Sequence, residues 1–342
     1  MIVEPLATRE ANLTDAALLE MYRVMVRSRR LDERAWAIHR QGRIAFHVSA
    51  IGHEAAQVAA AFAIHRGVDY VAPYYRDLTL MLALGMTPTD FLMSLFGKAG
   101  EISSGARQMP SHFSNKALNI VSTSAAVATQ VAHAAGLAFA IQYKQRTGMV
   151  DPDDVTQPRL ALTCIGEGST SQGDFHEAMN WMGVHKLPMI MLVQNNVYAI
   201  SVRVEKQMAV DSVADRAPAY GVPGVSVDGN DVLAMYSAAR KAVERAYNGD
   251  GGTLLEARTY RITPHSSDDD DRTYRSPEEV EYWKQKDPIL RFRNWLIAET
   301  LLTEALAEQI DTEVMAEIDR AQDDAETAPY PSPEAALGDV YA

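Results

Sequence analysis

Only one cysteine, Cys164, stands in the 342 residues, so no intrachain disulfide can form. Basic residues are outnumbered: 32 Lys and Arg against 45 Asp and Glu leave a formal charge of -13, which argues against nonspecific nucleic-acid binding. No apolar run reaches membrane length, because His133 and Gly136 break the small-residue stretch 125–141. Residues 1–5 lack the basic start and apolar stretch of a cleavable leader. No internal repeat is evident. We therefore expect a cytoplasmic chain with neither membrane nor nucleic acid as partner. Its length allows one large or two modest domains with a sizeable core. Cys164 lies in an apolar stretch and reads as a small buried hydrophobe rather than a nucleophile.

The most informative stretch is 160–200. Residues 159–165 form a β-prone apolar run that ends in Gly166-Glu167-Gly168-Ser169. Gly166 and Gly168 permit tight backbone geometry and close approach of a ligand. Residues 172–181 then have helical spacing, with Phe175, Met179 and Met182 on one face and an end near Gly183. A second apolar run, 189–193, leads into Asn195-Asn196. The unit is βαβ, for which a right-handed crossover is expected. Open parallel sheets bind ligands at the carboxyl ends of their strands, where Glu167 and Asn196 both fall. A hard cation such as magnesium takes one or two protein oxygens plus phosphate oxygens and water, and these two residues suit it.

Other readings of the motifs fare worse. A lone Gly-x-Gly is as readily a structural turn. A dinucleotide fingerprint would place glycine or alanine at 171, where Ser171 stands, and an acid where Asn195-Asn196 stands. Gly97-Lys98-Ala99 lacks the Ser or Thr of a triphosphate loop, and the helical starts at His53-Glu54 and His176-Glu177 lack the second histidine of a zinc site.

Around this unit the sequence predicts helices over 14–39, from Gly52-His53 onward, over 127–143, over 231–247 and over 303–326. Thr87-Pro88-Thr89-Asp90 and Ser276-Pro277-Glu278-Glu279 read as helix caps. A strand is expected over 253–262, and an extended arm after Ala328. Strands alternating with helices define an α/β class, a parallel sheet flanked by helices. We divide the chain into an N-terminal helical segment (1–40), an α/β core (41–275) and C-terminal helices with a tail (276–342).

Gly166-Glu167-Gly168 followed by Asn195-Asn196 resembles the thiamin diphosphate signature. Further segments sharpen it: Pro73-Tyr74-Tyr75-Arg76-Asp77, residues 105–110, residues 260–269 and Tyr274-Arg275. Together they resemble the alpha subunits of the decarboxylating component of branched-chain 2-oxo acid dehydrogenase complexes, over nearly the whole chain. The resemblance implies a thiamin diphosphate-binding fold and oxidative decarboxylation of a branched-chain 2-oxo acid, with acyl transfer to the lipoyl group of an acyltransferase. It also implies a beta subunit in an α2β2 heterotetramer, which supplies the glutamate that activates the cofactor. Pyruvate and acetoin dehydrogenase alpha subunits share the signature, and a noncatalytic scaffold relative is the reading from another class.

By the same resemblance, Mg²⁺ is held by Glu167, Asn196 and the backbone carbonyl of Tyr198. Thiamin diphosphate meets Tyr75, Arg76, Ala125, Gly168, Ser169, Gln194 and His265, although related chains often carry arginine or glutamate at position 194. His265 is the implied catalytic residue. We expect the neighbouring Asp268, Asp269, Asp270 and Asp271 to raise its pKa, while the aspartates themselves form a solvated run. Phe46, Tyr75, Met109 and His112 line the implied acyl pocket. Ser124, Ala126, Thr129 and Gln130 match a potassium site of carbonyls plus threonine and glutamine, with alanine at 125 and 126 where relatives have Ser-Pro. Ser266 falls where animal relatives carry a regulatory phosphorylation site.

Overall fold

A computed structural model describes residues 6–10, 12–149 and 159–338. The start read above for a leader and residues 339–342 of the tail lie outside them. The elements run α1 (Asp15–Arg40), α2 (Glu54–Ala63), β1 (Tyr70–Ala72), α3 (Leu78–Leu84), α4 (Pro88–Phe96), α5 (Thr129–Thr147) and β2 (Ala161–Gly166). There follow α6 (Gly173–His185), β3 (Met189–Asn195), a two-stranded antiparallel pair β4 (Tyr198–Ala199) and β5 (Val202–Arg203), and β6 (Gly224–Asp228). Helix α7 (Val232–Tyr247), strand β7 (Thr253–Arg258) and helices α8 (Pro277–Lys284), α9 (Pro288–Ala298) and α10 (Glu304–Thr327) complete the order.

Five strands form one parallel sheet in the order β1-β2-β3-β7-β6. Both faces are covered, so the strands are apolar throughout yet still divide their side chains by period two. Leu162, Cys164, Ile190, Leu192 and Leu255 enter the larger core beneath α1, α2, α3, α4, α7, α9 and α10. Ala161, Ile165, Met189, Met191, Val193 and Leu254 face α5 and α6 on the other side. The β2-to-β3 and β6-to-β7 crossovers run in opposite directions across the sheet, and their helices α6 and α7 lie on opposite faces. A single crossover hand requires that arrangement. The larger cluster draws on all three chain segments, from Leu13 to Ala325.

Local chemistry sets the helix ends. Thr14 accepts the Ala17 amide at 3.1 Å, Thr87 and Asp90 complete a reciprocal capping box, and Asp231, Ser276 and Thr303 each cap their helix. Four expectations shift. Helix α5 begins at Thr129 and runs on to Thr147. Helix α6 passes Gly183 and stops at Lys186, a left-handed cap. Strand β7 ends at Arg258, because the next residue already bonds back to the Asn195 carbonyl and the chain turns into the site. The tail is not simply extended: residues Pro333–Leu337 coil into a 3₁₀ turn, and Arg107 bonds the Gly338 carbonyl.

Candidate active site

The carboxyl ends of β1, β2, β3 and β7 open into a cleft of about 390 Å³. Phe46, Tyr74, Tyr75, Arg76, Met109, His112, Ala125, Glu167, Gly168, Ser169, Asn196, Tyr198, Arg261 and His265 contribute to its lining. Residues scattered over more than two hundred positions thus meet at one sheet edge, as strand ends in an open parallel sheet allow.

Glu167 starts the 3₁₀ turn that follows β2 and is 3% exposed. Its Oε2 accepts the Asn196 amide at 3.1 Å, while Oε1 is buried with no partner. Burial pushes its carboxyl above the ordinary value, against the pull of the Asn196 N–H and of Arg261 and Arg76. The Asn196 carboxamide oxygen receives only a long bond from the Tyr198 amide, 3.4 Å, and the Tyr198 carbonyl accepts from Arg261 at 3.2 Å. A carbonyl keeps a second lone pair. An under-coordinated buried carboxylate beside an amide oxygen and a carbonyl is a donor set that fits a hard cation. Among the described residues no three His, Cys, Asp or Glu side chains converge as a metal shell.

The turn between Asn196 and Tyr198 is held at a cost. Val197 sits at φ 76° and Ile200 at φ 53°, left-handed conformations that β-branched residues adopt only when the surroundings impose them. Gly168 has a simpler constraint: a Cβ there would stand 2.4 Å from that of Ala199.

Opposite the carboxylate lie Arg76 and Arg261, 1% and 0% exposed. Arg76 donates to the Ser49 carbonyl and, at 3.3 Å, to that of His265. Arg261 donates to the carbonyls of Tyr198 and Ile200 and to the Tyr274 hydroxyl. Among the described residues neither meets a carboxylate in an ion pair, and the Nε of each is buried with no partner. Two guanidinium groups face one carboxylate, so the cleft carries a buried excess of positive charge. An isolated buried charge of this kind calls for an anion.

His265 corrects an expectation. Its pKa is lowered to about 3, by burial first and then by Arg76 and Arg261, with Asp269 opposing only weakly. The aspartates next to it in sequence are occupied elsewhere. Asp269 accepts the His265 backbone amide at 2.7 Å and the Tyr274 hydroxyl at 2.5 Å, Asp270 pairs with Arg272, and Asp271 holds the buried Arg275. The run is therefore only partly solvated. The imidazole itself faces arginines, not acids.

Gln194 is the second correction. It is 0% exposed and lies below the cleft, where Nε2 donates to Asp77 at 2.6 Å and Oε1 accepts from Gln57 at 2.9 Å. Gln194 is not among the residues that line the cleft. Burial raises Asp77 to about 7. Around position 124, Ser124 accepts the Ala126 amide and Thr129 donates to the Ala126 carbonyl at 3.0 Å. Gln130 donates to the Cys164 carbonyl at 2.9 Å, and its oxygen is buried without a partner. Ser124 and Ala126 lie in the loop before α5 and Thr129 and Gln130 in its first turn, and none of the four lines the cleft itself.

On the apolar side, His112 directs Nδ1 at the Met109 and Pro110 carbonyls, 3.0 and 3.1 Å away, which leaves Nε2 a bare acceptor. Met109 is 49% exposed, so this wall is open at its rim. Arg261 and Tyr74 were missed as site residues by sequence reasoning. Arg261 stands three residues past the end of β7 but lay within the strand expected over 253–262, so its place at the cleft was not signalled.

The cleft thus defines an α/β protein that gathers a buried carboxylate and two buried guanidinium groups at the carboxyl ends of a parallel sheet. Residues 22–334 match the family model described as Dehydrogenase E1 component, and the chain belongs to that family. It is 49% identical over 330 residues to the 2-oxoisovalerate dehydrogenase subunit alpha of Bacillus subtilis, covering 96% of this chain and 97% of that one. It is 40% identical over 299 residues to the 3-methyl-2-oxobutanoate dehydrogenase subunit alpha of Mycobacterium tuberculosis, covering 87% and 76%. To the pyruvate dehydrogenase E1 component subunit alpha of Staphylococcus aureus it is 37% identical over 312 residues, covering 91% and 78%.

Proposed function

We propose that this chain is the alpha subunit of a branched-chain 2-oxo acid dehydrogenase E1 component. In this role it holds thiamin diphosphate and Mg²⁺, and with a beta subunit it decarboxylates the 2-oxo acid and passes the acyl group to lipoyl groups of an acyltransferase. The observation that carries the reading is the pair of buried arginines, Arg76 and Arg261, without carboxylate partners among the described residues, beside the orphaned oxygen of Glu167. Such a cleft suits a diphosphate bridged to a divalent cation. Family membership supports the cofactor, and the identity to the Bacillus relative supports the substrate class.

In this reading Glu167, Asn196 and the Tyr198 carbonyl hold Mg²⁺, and Arg76 and Arg261 take the diphosphate oxygens through their planar forks. Gly168 and Ser169 let the cofactor approach the backbone, and Tyr75 and Ala125 line its path. Thiamin diphosphate supplies the electron sink for decarboxylation. Phe46, Tyr75, Met109 and His112 hold the branched side chain. His265, kept neutral by burial beside the two arginines, accepts or delivers a proton at an imidazole nitrogen once a diphosphate offsets their charge. Potassium at Ser124, Ala126, Thr129 and Gln130 would steady the turn that bears Ala125.

The open rim at Met109, Val127 and Ile200, 49%, 38% and 57% exposed, supports completion of the site by the beta subunit in an α2β2 heterotetramer. Among the described residues no helix is long and apolar enough to cross a membrane, and we place the complex in the cytoplasm. The test is turnover by the chain purified with its beta partner. Thiamin- and magnesium-dependent activity on 3-methyl-2-oxobutanoate should exceed that on pyruvate and on acetoin. A preference for pyruvate would assign the chain instead to pyruvate oxidation, and for acetoin to acetoin cleavage.

A further inference from the structure

We infer that His53 is a positioning residue for the proposed magnesium site, fixing which way the Asn196 carboxamide faces. This rests on the cation-binding reading above. His53 opens α2 and is completely buried. Its Nδ1 lies 3.3 Å from the Ala50 carbonyl oxygen, which can only accept, so Nδ1 carries the proton. Nε2 is then a bare acceptor, and 3.3 Å away stands Nδ2 of Asn196, which donates to it. With its nitrogen committed to His53, the carboxamide turns Oδ1 to the other side, where only the Tyr198 amide reaches it, at 3.4 Å. A flipped amide would press oxygen against a bare imidazole nitrogen and offer N–H groups to the cation.

The imidazole is held in turn. The Ala50 amide donates to Asp32 Oδ2 at 2.6 Å, and Asp32 Oδ1 pairs with His47 Nε2 at 2.9 Å, all within the core. Asp32 on α1 therefore anchors residue Ala50 through its N–H, and the Ala50 carbonyl holds His53, which in turn meets the carboxamide. The lone histidine of a failed zinc motif thereby acquires a use: it touches the group that would ligate the cation.

The test uses the complex with the beta subunit, thiamin diphosphate and Mn²⁺ as the probe, with free Mn²⁺ followed by electron paramagnetic resonance. His53→Leu should weaken Mn²⁺ retention by about 10- to 100-fold, the range seen when the partner of a metal ligand is removed, while His53→Gln, whose amide oxygen can accept from Asn196, should stay within about threefold of wild type. The melting temperature of the metal-free proteins reports folding separately. Should the leucine variant not fold, His53→Asn, too short to reach Asn196, takes its place with the same expected weakening. Undiminished retention in the leucine or asparagine variant, or a glutamine variant as weak as leucine, would overturn the inference. Failure of the wild-type complex itself to retain Mn²⁺ would instead strike the proposed function.

Discussion

Glu167 spends a buried carboxylate on one hydrogen bond and leaves its other oxygen bare. That is an unfavourable residue for the empty chain and a useful one for a cation-bound chain. Glu167→Ala should therefore abolish metal-dependent retention of thiamin diphosphate in calorimetric titration while leaving the circular dichroism spectrum unchanged. His265 gives a pH prediction of definite sign. Its folded pKa of about 3 lies below the ordinary value of 6.5, so the unfolded chain takes up the proton first as pH falls. Its contribution to stability is in full above about pH 6.5 and drains away toward pH 3. In denaturant titrations of the empty chain, His265→Asn should show a flatter stability profile than wild type between about pH 7 and 4. Parallel profiles would contradict the depressed value. Glu167 was legible in the sequence because it follows an apolar strand run, whereas His265 was singled out by resemblance alone. The charge state of His265 was not legible, because sequence neighbours are poor guides to which side chains the fold brings to a ring. Gln194 misled in a related way, standing at a strand end but on the face turned toward Gln57 and Asp77.

Among elements, the βαβ unit from β2 to β3 was the most readable, since its apolar runs, glycines and amphipathic helix all agree on one local structure. Caps such as Thr87 with Asp90 were equally plain, because a capping box is encoded within four residues. The short edge strand β1, the β4 and β5 pair and β6 escaped notice. Their two to five residues carry too little periodicity to announce a strand, and pairing partners distant in sequence define them. The turn joining β3 to β4 was also hidden, though it bears the clearest conformational strain. Val197→Gly should release about 1 to 3 kcal/mol of backbone strain and lose up to about 1 kcal/mol to chain entropy. The expected net is a more stable empty protein by about 1 kcal/mol, measured by urea unfolding. A clear loss of stability would show that the valine side chain packs to more effect than its backbone suffers.

At the scale of the molecule, one shared core binds the N-terminal helix, the sheet and the C-terminal helices, so loading of the cleft should be felt by the whole chain's unfolding. The two arginines that converge on the His265 imidazole bear on this directly: each depresses the proton affinity of its surroundings, and Arg261 is itself pushed down, first by burial and then by Arg76. Mutual repulsion in a low-dielectric place works against folding until something negative separates the pair. The apoprotein should consequently be sensitive to the buffer it is kept in. Inorganic pyrophosphate should raise its melting temperature more than chloride at equal ionic strength, and Arg76→Gln should erase most of that difference. Crystals or storage solutions free of multivalent oxyanions would hold the protein in its most fragile form.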